Sequence, residues 1–511
     1  MNTEKKPAGI EKLPTGIPGF DDIALGGLPK GRTTLVSGTA GSGKTVLACQ
    51  FLAEGIIKEG ENGVMVTFEE SPADIRINML GFGWDIRKWE DEGKWAFVDG
   101  TRELGEEEIL TGEYDLGALL VRVQHAVRKV GATRVSADSL GAFFSEYTDS
   151  TIVRGELHRV ASVLKATGVT VVMTAERSQE YGEIARYGVE EFVADNVIIL
   201  RNVQEGAIRR RTMEILKFRG TPHNKGEHPF SIVSDGGIVM LPRATPLEHR
   251  ASNARVTLGN KELDEMCRGG IFSGSVVLVS GATGTGKTLA AIAFVAGGVA
   301  NDERSILFDF EESREQLLRN AGGWNIDLAQ MEDAGKLLVV CACPESAGVE
   351  DHLVEMRRKV EEFKPDRVAV DCLSALERVA TEKGAREFTI AMTAFIKQQE
   401  ITGLLTTTTA GLLGGTSTAE TNVFTVSDAI ILLRYIEMFG AIRRGVTVMK
   451  MRGSAHDREI REFTIDDQGM HIGKPFREVS GILTGNPVRV EVSEIERVEE
   501  MFKEEHPAWS E

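Results

Sequence analysis

Long apolar runs are missing from this sequence. No stretch approaches the roughly 18 apolar residues that would span a bilayer, and the opening MNTEKKPAGIEKLP lacks the apolar core of a signal peptide. We therefore expect the chain to stay in the cytosol. Cysteine is also scarce, with 5 residues in 511, and no Cys/His cluster accompanies the close pair Cys341 and Cys343. This pattern favours reduced cysteines packed as small hydrophobes over a metal or redox site.

Basic residues are outnumbered, with 59 Lys+Arg against 77 Asp+Glu and a formal charge of −18. This balance argues against a surface built for nucleic-acid phosphate. The run Arg209 to Arg211 is therefore interpreted as a salt-bridging face rather than a DNA site. At 42% hydrophobic and 27% charged residues, the composition is that of a soluble globular protein with material for two cores.

The chain contains a long internal duplication. The sequence GTAGSGKT at 38–45 returns as GATGTGKT at 281–288, so Lys44 and Lys287 lie 243 residues apart. Three further matches keep the same order, and they are Glu69-Glu70 with Glu311-Glu312, Asp138 with Asp371, and KFRG (217–220) with KMRG (450–453). Four ordered matches predict two copies of one domain, at 1–243 and 244–487, followed by a tail at 488–511.

Within each copy, short β-branched runs such as TTLVS and VMVTF alternate with longer segments of helical period. Continuous apolar strands separated by helices indicate a mostly parallel sheet covered on both faces, which is the α/β class. The polar stretch 242–256 is predicted to be a linker. The acidic tail has two interpretations, a short terminal helix that binds a partner or a frayed, solvated end.

Both glycine-rich segments satisfy G-x-x-x-x-G-K-[ST], follow an apolar strand and precede a helical segment. Glycines at these positions let backbone N–H groups close around phosphate oxygens, while the lysine reaches the β- and γ-phosphates. The hydroxyls of Thr45 and Thr288 are predicted to hold Mg²⁺. The sequence therefore predicts two nucleoside triphosphate sites per chain.

Carboxylates end several of the predicted strands. Asp138 and Asp371 stand where a Walker B aspartate supports Mg²⁺, although a strand-end aspartate can also simply cap a turn. The pairs Glu69-Glu70 and Glu311-Glu312 would project at the carboxyl edge of the sheet, where a carboxylate can orient or deprotonate a water or hydroxyl. A solvated acidic corner is the alternative for these pairs.

A repeated K-x-R pair lies late in each copy, at Lys217 with Arg219 and at Lys450 with Arg452. The alternating pattern of its strand predicts a position at an edge of the domain. Cations there are poorly placed for the phosphate loop of their own copy but suit the γ-phosphate of a neighbour in a ring. A plain surface strand is the alternative, and the repetition of KxRG favours function.

Several longer motifs carry a resemblance to a known family. These motifs are the paired glycine-rich loops, FEE at 68–70 and at 310–312, ARYGVEEFVADNVIILRN (185–202), LKFRGTPHNKGEHPF (216–230), REQLLRNAGGW (314–324) and KMRGSAHDREIREF (450–463). Together they closely resemble the KaiC family of circadian clock ATPases and autokinases. The resemblance spans about residues 16–490. It implies two tandem RecA-like P-loop domains and a homohexamer with ATP between subunits. It also implies slow hydrolysis in the first ring, and autokinase and autophosphatase activity in the second.

The resemblance also implies site residues. The first ATP site would use Gly41, Ser42, Gly43, Lys44, Thr45 and Val46, with Lys217, Phe218, Arg219, Thr221 and His223 from a neighbour. The second would use Thr283, Gly284, Thr285, Gly286, Lys287, Thr288, Leu289 and Trp324, with Arg444, Lys450, Met451, Arg452, Ser454, His456 and Arg458 across the interface. Mg²⁺ would be held by Thr45 and Asp138, and by Thr288, Glu311 and Asp371. Glu311 would be the base for the accepting hydroxyl with Glu312 beside it, and Glu69 and Glu70 the hydrolytic pair.

The sequence departs from the family at its phosphoacceptors. Cyanobacterial relatives carry adjacent Ser and Thr acceptors, but this chain has Phe424 before Thr425, and Ala419 replaces a nearby threonine. An ordered two-site cycle therefore has no hydroxyl at its first position. Thr425 is predicted to be the acceptor, with Thr421 and Ser427 as substitutes. The alternative is that Thr425 is one more hydroxyl in a Thr-rich stretch, 406–427.

Three function classes follow from these observations. The first is a KaiC-like ATPase and autokinase in which a phosphate on Thr425 meets Arg378 or Arg444. The second is an ATP-switched hexameric scaffold without kinase activity, and the third is a RecA-like DNA motor, which the charge of −18 disfavours. A KaiB-like partner at the first ring is extrapolated from the family, and the divergent tail leaves a KaiA-like partner without support.

Overall fold

The computed structural model of the chain describes residues 10–100, 116–139, 141, 150–184, 194–206, 208–241, 252–409, 425–438, 440–476, 479–480, 482 and 488–489. The chain divides into two compact units, Met1–Arg243 and Ala244–Glu511. In the described part, no helix is both long and apolar enough to cross a membrane. The predicted tail helix and most of the predicted linker lie outside the described residues.

The first unit is an α/β domain whose helices follow the strands of one large sheet. Its elements in chain order are β1 Lys12–Leu13, α1 Phe20–Ile23, β2 Leu28–Pro29, β3 Thr33–Gly38, α2 Lys44–Glu54, β4 Gly63–Thr67, α3 Pro72–Leu80, α4 Ile86–Asp91, β5 Trp95–Asp99, α5 Leu116–Val130, β6 Arg134–Asp138, α6 Ser150–Ala166, β7 Thr170–Glu176, β8 Asn196–Glu205, β9 Ile208–Phe218, β10 Glu227–Val233 and β11 Gly237–Met240. Helix α2 continues into a wider π-helical turn at Gly55–Glu59.

The second unit repeats this plan. Its elements are β12 Arg255–Val256, α7 Lys261–Met266, β13 Ile271–Phe272, β14 Val276–Gly281, α8 Lys287–Ala300, β15 Ser305–Asp309, α9 Arg314–Gly322, α10 Leu328–Asp333, β16 Leu337–Cys341, α11 Val349–Phe363, β17 Arg367–Asp371, α12 Leu373–Glu377, α13 Glu382–Gln398, β18 Thr402–Thr408, β19 Ala429–Met438, β20 Ala441–Met451, β21 Arg461–Asp466, β22 Gly469–Pro475, β23 Val479–Ser480 and β24 Val488–Arg489. A 3₁₀ turn at Pro344–Ser346 precedes α11.

Among the described residues, each unit is built on a sheet of nine strands. The order is β11-β10-β9-β8-β3-β7-β6-β4-β5 in the first unit and β16-β15-β17-β18-β14-β19-β20-β21-β22 in the second. Strand β3 pairs in parallel with β7 and β8, whereas β8, β9, β10 and β11 pair antiparallel. The parallel strands are buried apolar runs such as Val276–Gly281, as expected where helices cover both faces. The predicted α/β class with mostly parallel RecA-like sheets is confirmed.

The expected edge position of the K-x-R strands is wrong for the sheets. Strands β9 and β20 are inner strands, because β10 with β11 and β21 with β22 extend each sheet beyond them. The pairing of β10 to β9 covers only Thr212 to Glu214, so the Lys217 end of β9 continues past its outer neighbour. The K-x-R pairs therefore lie at strand ends rather than on an edge strand.

A buried arginine repeats in both cores. Arg134 and Arg367 are almost completely buried and begin the equivalent strands β6 and β17. Arg367 forms an ion pair with Glu303 and donates through Nη1 to the carbonyls of Thr257 at 2.6 Å and Phe294 at 3.1 Å. The guanidinium thus ties the sheet to α8 and to the segment that leads into the domain.

Candidate functional site

The glycine-rich loops connect a buried strand to a helix in both units. The loops follow β3 and β14, and the helices begin at Lys44 and Lys287. The residues before the helices, Gly43 and Gly286, have φ of 95° and 108°, a region that side chains other than glycine rarely adopt. No side chain caps either helix, so the first N–H groups face the loop. A helix start of this kind binds phosphate oxygens.

Each loop lysine lies close to its own loop. The ammonium of Lys44 donates to the carbonyl of Thr39 at 3.0 Å, and that of Lys287 donates to the carbonyl of Ala282 at 3.1 Å. The two loops therefore place their lysine in the same way, even though Lys287 is more deeply buried. A lysine held against the loop carbonyl is positioned to turn toward phosphate oxygens bound by the loop.

The strand-end aspartates form hydrogen bonds with the loop threonines in both copies. The hydroxyl of Thr45 donates to Asp138 Oδ2 at 2.7 Å, and the hydroxyl of Thr288 forms a hydrogen bond with Asp371. Burial raises the pKa of Asp371. A hydroxyl beside a carboxylate offers only hard oxygen ligands, the kind that Mg²⁺ prefers. Among the described residues, no group of three or more His, Cys, Asp or Glu side chains could hold a metal by itself.

The glutamate pairs lie beside these aspartates. Phe68 N donates to the carbonyl of Asp138 at 2.9 Å, and Phe310 N donates to the carbonyl of Asp371 at 2.7 Å. These bonds bring the segment after β4 and β15 to the same sheet edge as β6 and β17. The aspartates and the glutamate pairs therefore lie at one edge of each sheet.

The second glutamate of each pair is held by an asparagine. Asn78 Nδ2 donates to Glu70 Oε2 at 3.2 Å, and Asn320 Nδ2 donates to Glu312 Oε2 at 2.8 Å. Burial raises the pKa of both glutamates. The amide donors hold the direction of these two carboxylates. The first glutamates, Glu69 and Glu311, have other neighbours.

The surroundings of these first glutamates differ between the copies. Glu69 Oε1 accepts a hydrogen bond from the Ser139 hydroxyl at 2.7 Å. Glu311 Oε1 lies 4.0 Å from Arg378 Nη1, and Arg378 Nε lies 3.4 Å from Glu345 Oε1. The two sites thus share a scaffold but give the leading carboxylate different neighbours.

The K-x-R pairs lie far along the sheet from their own phosphate loops. Lys450 pairs in register with Ile430, which pairs with Leu278 near the start of β14, while the loop follows Gly281 at the opposite end. Lys217 pairs with Val197, which pairs with Leu35 near the start of β3. Parallel strands rise about 3.3 Å per residue. The register therefore places the main chain of each lysine three residues short of the strand end that its own loop follows.

The K-x-R cations contact carbonyls and carboxylates of the segment before β8 and β19. Lys217 donates to Ala194 O at 3.0 Å, and Lys450 donates to Ser427 O at 2.7 Å. Arg219 Nη1 lies 3.3 Å from Asp195 Oδ1. Burial, with Arg452 nearby, lowers the pKa of Lys450. The repeated contact gives both copies the same cationic end.

The remaining predicted ATP residues fall into groups. Phe218 and Met451 are buried in their cores, so their side chains pack rather than face solvent. Ser454 accepts a hydrogen bond from Arg255, while Arg458 is exposed. The structure also describes the rest of the set, namely Gly41, Ser42, Val46, Thr221, His223, Thr283, Gly284, Thr285, Leu289 and His456.

Two of the predicted residues lie beside unusual surroundings. Burial, with Lys12 nearby, lowers the pKa of His223, which packs edge-on against Phe218 at 5.4 Å. Trp324 lines a groove of about 680 Å³ beside α8. The first environment favours the neutral form of the imidazole near the K-x-R end, and the second adds an apolar wall next to Leu289.

Sequence reasoning missed one contact at the first loop. Arg211 Nε donates to Gly41 O at 3.3 Å, so one member of the basic run touches the phosphate loop. Arg210 and Glu205 form an ion pair at 3.9 Å, in line with the salt-bridging interpretation of the run. Arg211 is separated from Arg444 by the same 233 residues as the K-x-R pairs. That spacing was the signal that would have found it.

Arg444 lies on the side of its own loop. Its guanidinium packs over the ring of Tyr435 at 5.7 Å, and the Tyr435 hydroxyl donates to Thr283 O at 3.3 Å. Tyr435 thus connects Arg444 to the phosphate loop of the same copy. The place of Arg444 across a subunit interface, which the resemblance implies, stays a prediction.

Comparison with known proteins agrees with this geometry. The family model described as "ATPase: KaiC" matches twice, over residues 13–245 and 256–476. The chain belongs to the KaiC family of ATPases. It is 61% identical over 502 residues to the circadian clock protein KaiC3 of Synechocystis, which covers 98% of this chain and 99% of that relative. It is 51% identical over 510 residues to the circadian clock oscillator protein KaiC of Synechococcus elongatus, covering 99% of this chain and 98% of that relative.

Two KaiC-type domains within one chain account for the duplication of the loops and carboxylates. The match extends to the KaiC of Thermostichus vulcanus, 51% identical over 493 residues and covering 96% of this chain and 95% of that relative. The chain is thus a KaiC-like ATPase, and the predicted resemblance is confirmed.

Alanine at Gly286 is expected to weaken ATP binding by the second copy about tenfold, because a left-handed backbone costs a side chain about 1–2 kcal/mol. A Cβ atom there would also lie 2.8 Å from Ile465 Cδ1. Equilibrium binding of a fluorescent ATP analogue, in a Lys44→Ala background that silences the first loop, measures the effect.

Gly335→Ala is the matched control, since Gly335 has φ of 69° in a turn with open space around it. Both variants carry backbone strain, but only Gly286 belongs to the loop. Equal affinities for the two variants would show that the loop does not require its left-handed glycine.

Proposed function

We propose that this KaiC-like ATPase hydrolyses ATP at the first loop and phosphorylates and dephosphorylates itself in its second domain, with Thr425 as the acceptor. The relatives named circadian clock proteins support a clock-type role, and a location in the cytosol is part of the same proposal. A KaiB-like partner at the first domain belongs to this proposal. Thr425 and Ser427 are described, whereas Thr421, Phe424 and Ala419 lie outside the described residues.

The observation that carries the proposal is the attachment of Thr425 to the cationic end of the second domain. Arg452 Nη2 donates to the main-chain carbonyl of Thr425 at 2.8 Å, and Lys450 donates to Ser427 O at 2.7 Å. Thr425 itself is exposed, and Ser427 is buried. The exposed hydroxyl is therefore held beside the cations that would contact a γ-phosphate, while the buried hydroxyl of Ser427 is less accessible.

The direction of those cations supports assembly into a ring. The register places Lys450 opposite Ile430 near the start of β19, and Ile430 lies opposite Leu278, three residues before Gly281, which the loop follows. Cations with no phosphate to contact in their own copy suit the phosphate of an adjacent subunit. A homohexamer with nucleotide between subunits would then bring Thr425 and Arg452 of one subunit to the ATP of the next.

The chemistry follows from the residues at the sheet edge. The loop N–H groups and Lys287 bind and orient the phosphates, and Glu311 accepts the proton of the Thr425 hydroxyl as its oxygen attacks the γ-phosphorus. The new O–P bond forms as the bond to the bridging oxygen of ADP breaks. Mg²⁺ held by Thr288, Asp371 and Glu311, or by Thr45 and Asp138 in the first domain, would neutralise charge on the phosphates.

The first domain would direct the same bond cleavage toward water. Glu69, with Glu70 beside it, orients a water molecule at the γ-phosphate, and Lys44 holds the phosphate oxygens. The Ser139 hydroxyl that donates to Glu69 fixes the direction of this carboxylate. ADP and inorganic phosphate are the products.

Incubation with Mg-ATP followed by intact-mass spectrometry and peptide mapping tests the kinase assignment. We expect one phosphate, on Thr425, that is absent from Thr425→Ala. Glu311→Gln should slow its appearance by about 10²–10⁴-fold, the usual contribution of a general base. The phosphate should remain in Ser427→Ala, which removes only the buried hydroxyl.

Two outcomes would contradict the assignment. A phosphate that persists in Thr425→Ala and maps to another hydroxyl would move the acceptor. A chain that hydrolyses ATP without ever carrying phosphate would be an ATP-switched scaffold, and DNA-stimulated hydrolysis would point to a DNA motor.

A further inference from the structure

The two copies differ at the residue that ends the strand beneath the glutamate pair. Residue 67 in the first copy is threonine, and its counterpart 242 residues later is Asp309. Both are buried, and both end the equivalent strands β4 and β15. The duplication thus replaced a neutral hydroxyl by a carboxyl at a position with almost no contact with solvent.

These two side chains hold the following turn in opposite ways. The Thr67 hydroxyl donates to the carbonyl of Glu70. Asp309 Oδ1 instead accepts from the backbone N–H of Glu311 at 2.9 Å and from that of Glu312 at 2.7 Å. An aspartate that binds the N–H groups two and three residues ahead fixes a turn locally. In the second copy, the side chain at this position therefore binds the main-chain N–H groups of both glutamates, whereas in the first copy it binds a main-chain carbonyl.

The second oxygen of Asp309 makes this arrangement costly. Oδ2 is buried and has no hydrogen-bond partner among the described residues. A buried polar atom without a partner destabilises a protein, and threonine at this position in the first copy avoids that penalty. Stability therefore does not explain a carboxyl at this position. The two hydrogen bonds that Oδ1 accepts from the main chain of Glu311 and Glu312 do explain it.

The side chain at the end of the neighbouring strand differs in a complementary way. Ser139 donates to Glu69 Oε1 at 2.7 Å, whereas its counterpart is Cys372, whose Sγ contacts Thr408 Oγ1 at 3.6 Å. The first copy fixes its leading glutamate through the carboxylate. The second copy has no serine there, and the contact that fixes Glu311 is to its main chain.

We propose that Asp309 is a positioning residue that orients Glu311 through the backbone and so leaves its carboxylate available as the base for a hydroxyl acceptor. In the first copy, the hydrogen bond from Ser139 fixes the Glu69 carboxylate, which is then suited to orient a water molecule. The Glu311 carboxylate instead has Arg378 Nη1 at 4.0 Å and, among the described residues, no serine hydroxyl on it, so the hydrogen bond that fixes the residue is the one from its main chain to Asp309. Residues 309 and 372 would thereby separate transfer from hydrolysis. The inference rests on the proposed autokinase function.

Replacement of Asp309 by the residue of the first copy tests the inference. Asp309→Thr should slow phosphate appearance at saturating Mg-ATP by roughly tenfold or more, because a displacement of about 1 Å at a reacting group can cost about 10²-fold. The ATP concentration for half-maximal rate should stay within about twofold, since the phosphate loop is untouched. Asp309→Asn should restore most of the rate, because its amide oxygen still accepts both N–H groups.

Amide hydrogen exchange of the peptide over 309–313, measured on the same full-length proteins, gives a readout independent of catalysis. Exchange should be faster in Asp309→Thr and close to wild type in Asp309→Asn. Three results would each overturn the inference: equal exchange in all three proteins, an Asn variant as slow in transfer as the Thr variant, or a Thr variant with unchanged transfer.

Failure of the proposed function has a different signature. A wild-type chain that carries no phosphate would refute the autokinase proposal, while the exchange experiment would still decide whether Asp309 fixes the turn. Thermal unfolding of each variant separates a local change at the turn from loss of the folded domain, in which exchange would rise throughout the second unit.

Discussion

Lys44→Ala is expected to lower steady-state ATP hydrolysis by about 10²-fold or more, since removing one positioned charge from a phosphate transition state costs about 2.7–4 kcal/mol. The ammonium of Lys44 lies 3.0 Å from the carbonyl of Thr39 at the mouth of the loop. Its removal leaves the glycine backbone intact and takes away the cation together with its aliphatic stem. Phosphate release from ATP, measured at saturating Mg-ATP, checks this prediction.

Lys287→Ala is the matched control, because its ammonium donates to the equivalent loop carbonyl of Ala282. The proposal assigns hydrolysis to the first copy and transfer to the second. Lys287→Ala should therefore keep most of the hydrolysis and lose the phosphate on Thr425. If Lys287→Ala abolished hydrolysis and Lys44→Ala spared it, the two tasks would have to be exchanged between the copies.

Arg367→Met is expected to destabilise the second unit by about 3–5 kcal/mol, the typical cost of breaking a buried ion pair from one side. Arg367 is 1% exposed, and its loss leaves Glu303 and the carbonyls of Thr257 and Phe294 without their donor. In a domain of this size, that loss corresponds to a fall in the unfolding temperature of about 6–20 °C. Differential scanning calorimetry of the full chain measures it.

Arg358→Met provides the comparison with an exposed arginine. Arg358 lies on α11 and pairs with Glu355 at 2.8 Å and Glu362 at 3.3 Å, all of them largely exposed. Surface pairs of this kind contribute about 0–1 kcal/mol. A calorimetric shift for Arg367→Met no larger than that for Arg358→Met would show that the buried guanidinium does not tie the sheet to α8.

Much of the fold could be predicted from the sequence because the parallel strands are continuous apolar runs. The segments at 33–38 and 276–281 are buried on both faces, and their composition alone reveals that environment. The positions of β10, β11, β21 and β22 could not be predicted in the same way. Antiparallel strands added outside the K-x-R strands depend on tertiary pairing, which local propensity does not determine.

The site residues likewise fall into those that the local sequence pattern predicts and those that depend on tertiary contacts. The loops and strand-end carboxylates were predictable, because their chemistry requires fixed residue types at fixed spacings. Asp309 attracted no attention in the sequence, since an aspartate at the end of an apolar run differs little from any turn residue. Its significance comes from two backbone N–H groups that only the folded turn presents. The role of Arg367 likewise depends on three distant partners.

The glycine opposite each buried arginine limits the order in which descendants of this sequence can change. A Cβ atom at Gly298 would lie 2.6 Å from Arg367 Cδ, and one at Gly55 would lie 2.6 Å from Arg134 Nε. Alanine at the glycine is therefore blocked while the arginine remains. Loss of the arginine first opens the space but leaves carbonyls without donors. Whichever residue of an arginine-glycine pair changes first, the singly substituted protein is less stable than the starting one. Each copy is therefore expected to keep or lose the two residues together.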